Sequence, residues 1–270
     1  MGTAKRRNTI TGWLLVLPLT AGCAVFMVIP FLELLKRSFT TGMGAGLTFV
    51  GLKNYSALLR NEFFRQAVEN TLTFLSLSLP LVFFFAFAFA LFIHRKRRKA
   101  LLQTAALLPY VMPVVGTVAV LDLLFPDTAS LAGAATIPAV VGLYLWKNTG
   151  YTMLILAAGL TAIPPEHYES AQIDGASSWQ QLCLITVPQM WDSFFYSVVF
   201  SMMNIFKCFR EIFLLGGKHP PRGLYMLQHF LNNCFENLNF SKLSCCAVVL
   251  LLALAVPFCL AYRWVARREV

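Results

Sequence analysis

Charged residues are scarce in this chain of 270 residues, since Asp, Glu, Lys and Arg together make up 13%. Soluble domains carry about 25% of such residues, whereas 58% of this chain is hydrophobic and its mean hydropathy is +0.67. This balance argues against an ordinary soluble fold and favours membrane spans. Because no stretch has the composition of an appended soluble domain, we predict a single membrane domain over residues 1–270.

Motifs of enzyme and metal chemistry are also missing. The four histidines are scattered, and the sequence contains neither an H-E-x-x-H motif nor a C-x-x-C pair, which argues against a metal site. No Ser, His and Asp grouping forms a nucleophile motif, and no G-x-x-x-x-G-K-[ST] phosphate loop occurs. We therefore expect no catalytic residues, no metal and no nucleotide site of the chain's own.

What the sequence does contain is long apolar segments, each of about 20 to 25 residues, the length that crosses a bilayer as a helix. They cover residues 10–32, 71–93, 101–125, 137–162, 191–215 and 243–264. The third contains Pro109 and Pro113, which a membrane bundle tolerates. The predicted fold is therefore an all-α membrane protein with six transmembrane helices.

Basic residues predict how these helices are oriented. Half of the 22 Lys and Arg residues lie in three clusters beside apolar segments, namely residues 5–7, residues 95–99, and Arg263 with Arg267 and Arg268. Basic residues beside a span stay on the cytoplasmic face, so we predict that both termini are cytoplasmic. The net charge of +10 is thus interpreted as topology and not as a nucleic-acid-binding patch.

The first external segment runs against this pattern because it also holds basic residues, which are Lys36, Arg37, Lys53, Arg60 and Arg65. Its amphipathic stretch from Tyr55 to Val68 predicts a helix on the membrane surface. These basic residues therefore weaken the assignment of the termini to the cytoplasm but do not reverse it.

A polar loop, residues 163–190, separates the fourth and fifth apolar segments and is predicted to form helix, turn and helix. Two prolines suit the start of the first helix, and Gly175 can take the left-handed geometry that ends it. Either Ser177 with Gln180 or Ser178 with Gln181 can form a capping box for the second helix, which we expect Pro188 to end. From the residues alone, this hairpin is either a rigid connector or a functional contact.

The same loop contains a long pattern with fixed spacing. Glu169-Ser170-Ala171 is followed by two residues, Asp174-Gly175-Ala176, eight residues and Ile185-Thr186-Val187-Pro188. It resembles the cytoplasmic signature of permease subunits of binding-protein-dependent ABC importers, which reads E-A-A, two residues, D-G-A, eight residues and I-x-L-P. The spacing is kept throughout, and the two departures, Ser170 and Val187, are changes to residues of similar shape.

The resemblance covers most of the chain. Residues 49–55, 70–72, 158–164 and 211–217 are similar to the carbohydrate-type branch of these permeases, the maltose and glycerol-3-phosphate-like group. The last of these stretches resembles the first-type permease of a heterodimeric pair, although His219 and Pro220 depart from its usual continuation. The resemblance implies a type I ABC importer permease fold in the bacterial cytoplasmic membrane, crossing it several times.

In this family the first short helix of the loop is a coupling helix that docks on a cytoplasmic ATPase. The resemblance implies a second related permease subunit, two ABC ATPase subunits that use ATP and Mg, and an extracytoplasmic solute-binding protein as partners, with no cofactor on this chain. By position, the residues assigned to coupling are Glu169, Ser170, Ala171, Asp174, Gly175, Ala176, Ile185 and Pro188.

Polar and aromatic residues inside the fourth and fifth spans are candidates for the solute pathway, because such residues usually face a cavity or a neighbouring helix. They are Tyr144, Trp146, Lys147, Asn148, Tyr151, Asn204, Lys207, Cys208 and Glu211. Other interpretations are open: Lys207 and Glu211 can form a purely stabilising ion pair, and Lys147 can extend towards the external interface. Trp146 and Tyr151 can be ordinary packing residues.

The function that the resemblance implies is ATP-driven import by alternating access of a sugar, an oligosaccharide or a glycerophosphate-like polyol. The rival hypothesis is a secondary carrier or channel that works without ATP and uses Lys207 and Glu211 for coupling ions. An intramembrane enzyme is a third hypothesis, but no catalytic constellation supports it.

Overall fold

The computed structural model describes residues 2–42, 46–94, 99–124, 136–218 and 220–266. Several residues named above lie outside the described residues, namely the basic residues 95–98, His219, and Arg267 with Arg268 near the C-terminus. The chain forms two compact units, one of Met1–Asn61 with Asn233–Leu254 and one of Glu62–Asn232 with Ala255–Val270. The assignment of all 270 residues to one membrane domain stays a prediction.

The first unit begins with a long helical segment over the first predicted span. Helices α1 (Gly2–Cys23) and α2 (Ile29–Ser38) are joined by a π-helical turn at Ala24–Val28, so the chain stays helical throughout. The part from Leu15 to Ser38 is apolar and long enough to cross a membrane.

A two-stranded antiparallel hairpin follows, formed by β1 (Thr40–Thr41) and β2 (Thr48–Phe49), with α3 (Lys53–Arg60) after it. The side-chain nitrogen of Asn54 donates to the carbonyl oxygens of Ser38 and Thr40 at 3.1 and 2.9 Å. The helix predicted from Tyr55 to Val68 is wrong in extent, because Asn61 is extended (ψ 122°) and separates α3 from the next helix.

The second unit is built from helices on either side of the polar loop. Those before the loop are α4 (Glu62–His94), α5 (Lys99–Val111), α6 (Val114–Leu124) and α7 (Thr136–Ala162). Those in and after it are α8 (Pro165–Ile173), α9 (Ser178–Gln181), a π-helical turn (Leu182–Thr186), α10 (Val187–Gln189), α11 (Trp191–Lys207) and α12 (Phe209–Gly216). A 3₁₀ turn (Arg222–Leu224), α13 (Leu227–Glu236) and α14 (Phe240–Ala266) complete the chain, and residues 233–254 of this last part belong to the first unit.

Helix α7 is the centre of the second unit, because α4, α5 and α11 all pack against it. Two glycines allow this close approach, as small residues do in membrane helix pairs. A Cβ atom on Gly150 would lie 1.8 Å from the carbonyl oxygen of Ala106 in α5, and one on Gly159 would lie 2.2 Å from Oγ of Ser193 in α11. These positions therefore accept only glycine without displacement of a helix.

Two apolar clusters form the core of this unit. The first surrounds Tyr144 and includes Phe74 of α4 and Ile212 of α12. The second joins α4 and α7 to both ends of the polar loop, and its buried members are Ala86, Ala90, Ile93, Met153, Leu156, Ala157, Leu160, Ile163 and Met190. The loop is thus anchored in the helical core at its first and last residues.

Two predicted spans are not single straight helices. The third is broken between Val111 and Val114, where α5 and α6 meet at 94°; Pro113 supplies no backbone N–H at this point, so it cannot continue the helical bonding. The fifth is divided at Cys208 into α11 and α12. Among the described residues, two helices are long and apolar enough to span a membrane, or three if α5 with α6 counts as one span. The six-span count stays a prediction.

Candidate functional site

A cavity of about 210 Å³ lies within the second unit, at the bend between α5 and α6. Helix α7 and the junction of α11 with α12 form its other walls. It is lined by Tyr110, Val114, Leu143, Tyr144, Lys147, Asn148, Asn204, Lys207, Cys208, Arg210 and Glu211. We call this space the polar cavity. Seven of the nine residues predicted for the pathway line it.

A buried ion pair crosses the polar cavity. Nζ of Lys147 on α7 contacts Oε1 of Glu211 on α12, and the two side chains are 14% and 5% exposed. The interpretation of Lys207 and Glu211 as an ion pair is wrong, because Glu211 pairs with Lys147. The alternative in which Lys147 extends towards an external interface is wrong for the same reason. The second oxygen of Glu211, Oε2, is buried and has no hydrogen-bond partner among the residues that the structure describes.

Two further cations line the polar cavity, Lys207 and Arg210, and both side chains are exposed. Within the described part of the chain, neither has a carboxylate within ion-pairing distance. The lining therefore carries three basic residues and one acidic residue, and the acidic one already has a basic partner.

Tyr144 is fixed in the wall of the polar cavity. Its hydroxyl donates to the carbonyl oxygen of Ser201 at 2.9 Å, and its ring meets Phe74 edge to face. The side-chain nitrogen of Asn148 donates to the Tyr144 carbonyl oxygen at 3.0 Å. These contacts hold the polar face of α7 in one orientation towards α11.

Trp146 and Tyr151 do not line the polar cavity. The ring of Tyr151 stacks on Tyr110 with 4.5 Å between centroids, so it supports the wall from behind, whereas Trp146 is 42% exposed. The prediction did not include Tyr110 or Arg210 among the pathway residues. Arg210 stands out in the sequence as an ionisable residue within the fifth predicted span, although it was not assigned to the pathway, whereas Tyr110 lies in an apolar segment without such a signal.

The polar loop (residues 163–190) forms the predicted helical hairpin, called the hairpin below. Helix α8 has Pro165 as its first residue and ends at Ile173, and Gly175, two residues later, has a φ of +79°. The amide of Ala176 donates to the Ala171 carbonyl oxygen at 2.8 Å, and that of Gly175 donates to Gln172 at 3.1 Å. This pair of bonds is the Schellman arrangement, and it requires the left-handed backbone that glycine adopts without strain.

The second helix of the hairpin starts with a capping box of Ser177 and Gln180, with bonds of 2.7 and 3.3 Å in the two directions. Of the two predicted pairs, this is the one that forms. The expectation that Pro188 ends the helix is wrong, because helical structure continues through it to Gln189. Pro188 lies in the first turn of α10, where a missing N–H is tolerated, and the break falls at Met190.

The two arms of the hairpin are bonded to each other. The hydroxyl of Tyr168 lies 2.9 Å from Oγ1 of buried Thr186, and the ring nitrogen Nδ1 of His167 lies 2.8 Å from the side-chain nitrogen of Gln189. Tyr168 and Ile185 also pack on the second apolar cluster. The two arms of the hairpin are therefore bonded to each other and packed on the apolar cluster that α4 and α7 form.

The outer face of the hairpin exposes large apolar side chains. Ile173, Trp179 and Leu184 are 88%, 71% and 74% exposed, beside the exposed acidic residues Glu169 and Asp174. The sequence prediction did not single out these three residues, although apolar residues in a polar loop are a signal for a contact surface. Exposed apolar side chains with polar residues nearby in the chain are typical of a surface that contacts a protein partner.

Residues 55–269 match the family model described as the binding-protein-dependent transport system inner membrane component. The chain belongs to this family. Similar proteins include the lactose transport system permease protein LacF of Rhizobium radiobacter, 27% identical over 93% of each chain. The trehalose transport system permease protein SugA of Mycobacterium tuberculosis is 30% identical over 77% of this chain and 72% of its own. The trehalose/maltose permease protein MalF of Thermococcus litoralis is 26% identical over 97% and 96%.

A solved structure with the same fold is a bacterial ABC transporter involved in the import of the acidic polysaccharide alginate. One of its chains matches with a TM-score of 0.81 and 20% identity, covering 98% of both chains. The helical permease fold predicted from the signature is thereby confirmed, whereas the orientation of the termini stays a prediction.

Family membership confirms the resemblance read from the hairpin sequence. The chain is a permease subunit of an ABC importer and an inner membrane component that works with a binding protein. It is a transporter subunit and not an enzyme, and the ATP-independent carrier is no longer a competing hypothesis.

Proposed function

We propose that this permease carries a sugar or related polyol across the bacterial cytoplasmic membrane by alternating access. The support for the solute class is that relatives over most of the chain are named for lactose, trehalose and maltose transport. The polar cavity adds the groups that such a solute needs, because hydroxyls require both donors and acceptors and a ring can stack on an aromatic face.

The polar cavity is the proposed solute contact, and the predicted residues that form it are Tyr144, Lys147, Asn148, Asn204, Lys207, Cys208 and Glu211. Tyr151 is proposed as a positioning residue because it stacks on Tyr110. Trp146 lies outside the contact. Its volume of about 210 Å³ is below the roughly 300–1,000 Å³ of ordinary small-molecule sites. A second related permease subunit that completes the pathway accounts for this small size.

The hairpin is the proposed point at which ATP-driven motion enters the subunit. Glu169, Ser170, Ala171, Asp174, Gly175 and Ala176 shape α8 and its turn, while Ile185 and Pro188 belong to the returning arm. The observation that carries the proposal is that this hairpin is bonded across its arms and packed on the apolar cluster formed by α4 and α7. A force on its exposed apolar face is therefore transmitted to α7, one wall of the polar cavity.

The partners that fit this arrangement are two cytoplasmic ATPase subunits, which bind ATP and Mg, and an extracytoplasmic solute-binding protein. The hairpin and both termini then lie in the cytoplasm, and the six spans cross the membrane with this orientation. No cofactor is assigned to the permease itself.

The test replaces Gly175 by proline in cells that carry the complete importer. Proline cannot adopt a φ of +79°, and it removes the N–H that donates to Gln172. We expect uptake to fall more than tenfold while immunoblots show normal membrane insertion. The matched control is Gly175→Asn, since asparagine tolerates left-handed geometry and should keep most of the uptake. Normal uptake by Gly175→Pro contradicts the proposal.

A further inference from the structure

The charges in the wall of the polar cavity carry information about the solute. Lys147 and Glu211 neutralise each other, and Lys207 and Arg210 have no acidic partner in the described part of the chain. Uncompensated cations within a span are unfavourable unless they face a cavity, a partner or a ligand. The lining therefore has an excess of two positive charges that its own residues leave without a counter-ion.

We propose that the solute is an anionic saccharide, one that carries a carboxylate or a phosphate, and that Lys207 and Arg210 bind its acidic group. This inference rests on the proposed function and specifies the solute class of the same site. Arginine and lysine on neighbouring turns can donate several hydrogen bonds to one acidic group. Their spacing of three residues places both on one face of the α11–α12 junction.

The rest of the lining suits the sugar part of such a molecule. Glu211 supplies a carboxylate to the cavity lining, and its Oε2 is buried with no hydrogen-bond partner among the described residues. Asn148 and Asn204 add side-chain amides, and Tyr110 adds an aromatic ring. An inorganic anion would use the two cations but leave these groups without a role.

The lone acidic residue does not cancel the attraction for an anion. Glu211 is 4% exposed and its charge is offset by the adjacent Nζ of Lys147. Lys207 and Arg210 are both exposed, and they are the groups that an entering solute meets. Field lines in a cleft with low-dielectric walls are concentrated, so the excess charge acts mainly on a ligand inside.

The experiment measures binding to the complete importer, purified in detergent through this subunit, with three probes. These are trehalose, trehalose 6-phosphate and digalacturonate, which are neutral, phosphorylated and carboxylated. Calorimetry, or saturation-transfer NMR for millimolar affinities, is expected to show that at least one anionic probe binds tenfold or more tightly than trehalose. The ranking of the two anionic probes distinguishes a phosphate from a carboxylate.

The variants Lys207→Gln and Arg210→Gln should each reduce the preference for the anion about tenfold, since hydrogen bonds to charged groups are the strong ones, and the double variant should remove it. The matched control is Arg263→Gln, which removes one positive charge from the exposed end of α14 and should keep the preference.

Three results overturn the inference: equal binding of all probes, no binding of either anionic probe, or a preference that survives in the double variant. Failure of the proposed function is a separate result, because it appears as normal uptake by Gly175→Pro whatever the charge of the solute. If trehalose is taken up in an ATP-driven manner and no anionic probe is preferred, the inference of an anionic solute is wrong while the proposed function as a sugar importer stands.

Discussion

Glu211 shows how much one residue depends on a partner far away in the sequence. Spacing along a helix predicts that Asn204, Lys207, Cys208 and Glu211 share a face, and all four line the polar cavity. The partner of Glu211 is Lys147, 64 positions away. Local periodicity carries no information on contacts between distant helices, so the sequence favoured the nearby Lys207 as the partner, and this was wrong.

We predict that Glu211→Gln destabilises the permease, because Lys147 is left buried with no counter-charge. Breaking a buried ion pair typically costs about 3 kcal/mol or more, although the residual exposure of Lys147 reduces this. Thermal unfolding of the detergent-solubilised protein should show a lower Tm for this variant. The double variant Lys147→Met with Glu211→Leu should recover most of the loss, since replacing both partners by apolar groups is often neutral. Equal Tm values for Glu211→Gln and the native protein would show that the pair is not structural.

At the scale of elements, the hairpin was predicted well because its signals are local. The Schellman turn at Gly175 and the capping box at Ser177 each depend on residues within one turn of each other. The prediction that Pro188 ends a helix was wrong because proline breaks a helix when it lies in the helix interior. Pro188 instead follows a π-helical turn and lies in the first turn of α10. That distinction depends on the backbone before it, which the residue itself does not reveal.

The bend between α5 and α6 has a similar origin. Pro113 in an apolar segment is compatible with a straight helix, a kink or a sharp bend, and only packing against neighbouring helices decides among them. The 94° bend brings Tyr110 and Val114 into the polar cavity, which explains why neither was among the predicted pathway residues.

Packing of α5 on α7 gives a prediction for helix pairs. Gly150→Ala should destabilise the permease, because a Cβ atom there would lie 1.8 Å from the Ala106 carbonyl oxygen and one of the helices must move. Overpacking of this kind costs about 1–3 kcal/mol. The matched control is Gly142→Ala on the same helix, where a Cβ atom meets nothing within 4 Å. Both changes raise helix propensity by the same amount. If the Tm falls for Gly150→Ala but not for Gly142→Ala, the difference reports the steric cost of the close contact between α5 and α7. Equal shifts for the two variants would contradict it.

At the scale of the whole molecule, composition indicated a membrane protein, and the signature in the hairpin indicated a permease subunit of an ABC importer. Family membership over residues 55–269 and the fold shared with a solved importer confirm both conclusions. The number of spans and the orientation of the termini follow from hydropathy and charge alone, and they stay predictions. The solute could not be read from apolar periodicity, because it depends on which side chains from α5, α6, α7, α11 and α12 meet in one place.

The central claim is that this subunit converts ATP hydrolysis by a partner into solute movement, and uptake into proteoliposomes tests it most directly. The complete importer, purified through this permease and reconstituted with its binding protein, should accumulate labelled solute only when ATP reaches the ATPase subunits. Gly175→Pro should abolish that accumulation. Uptake that proceeds without ATP, driven by an ion gradient and insensitive to Gly175→Pro, would contradict the account.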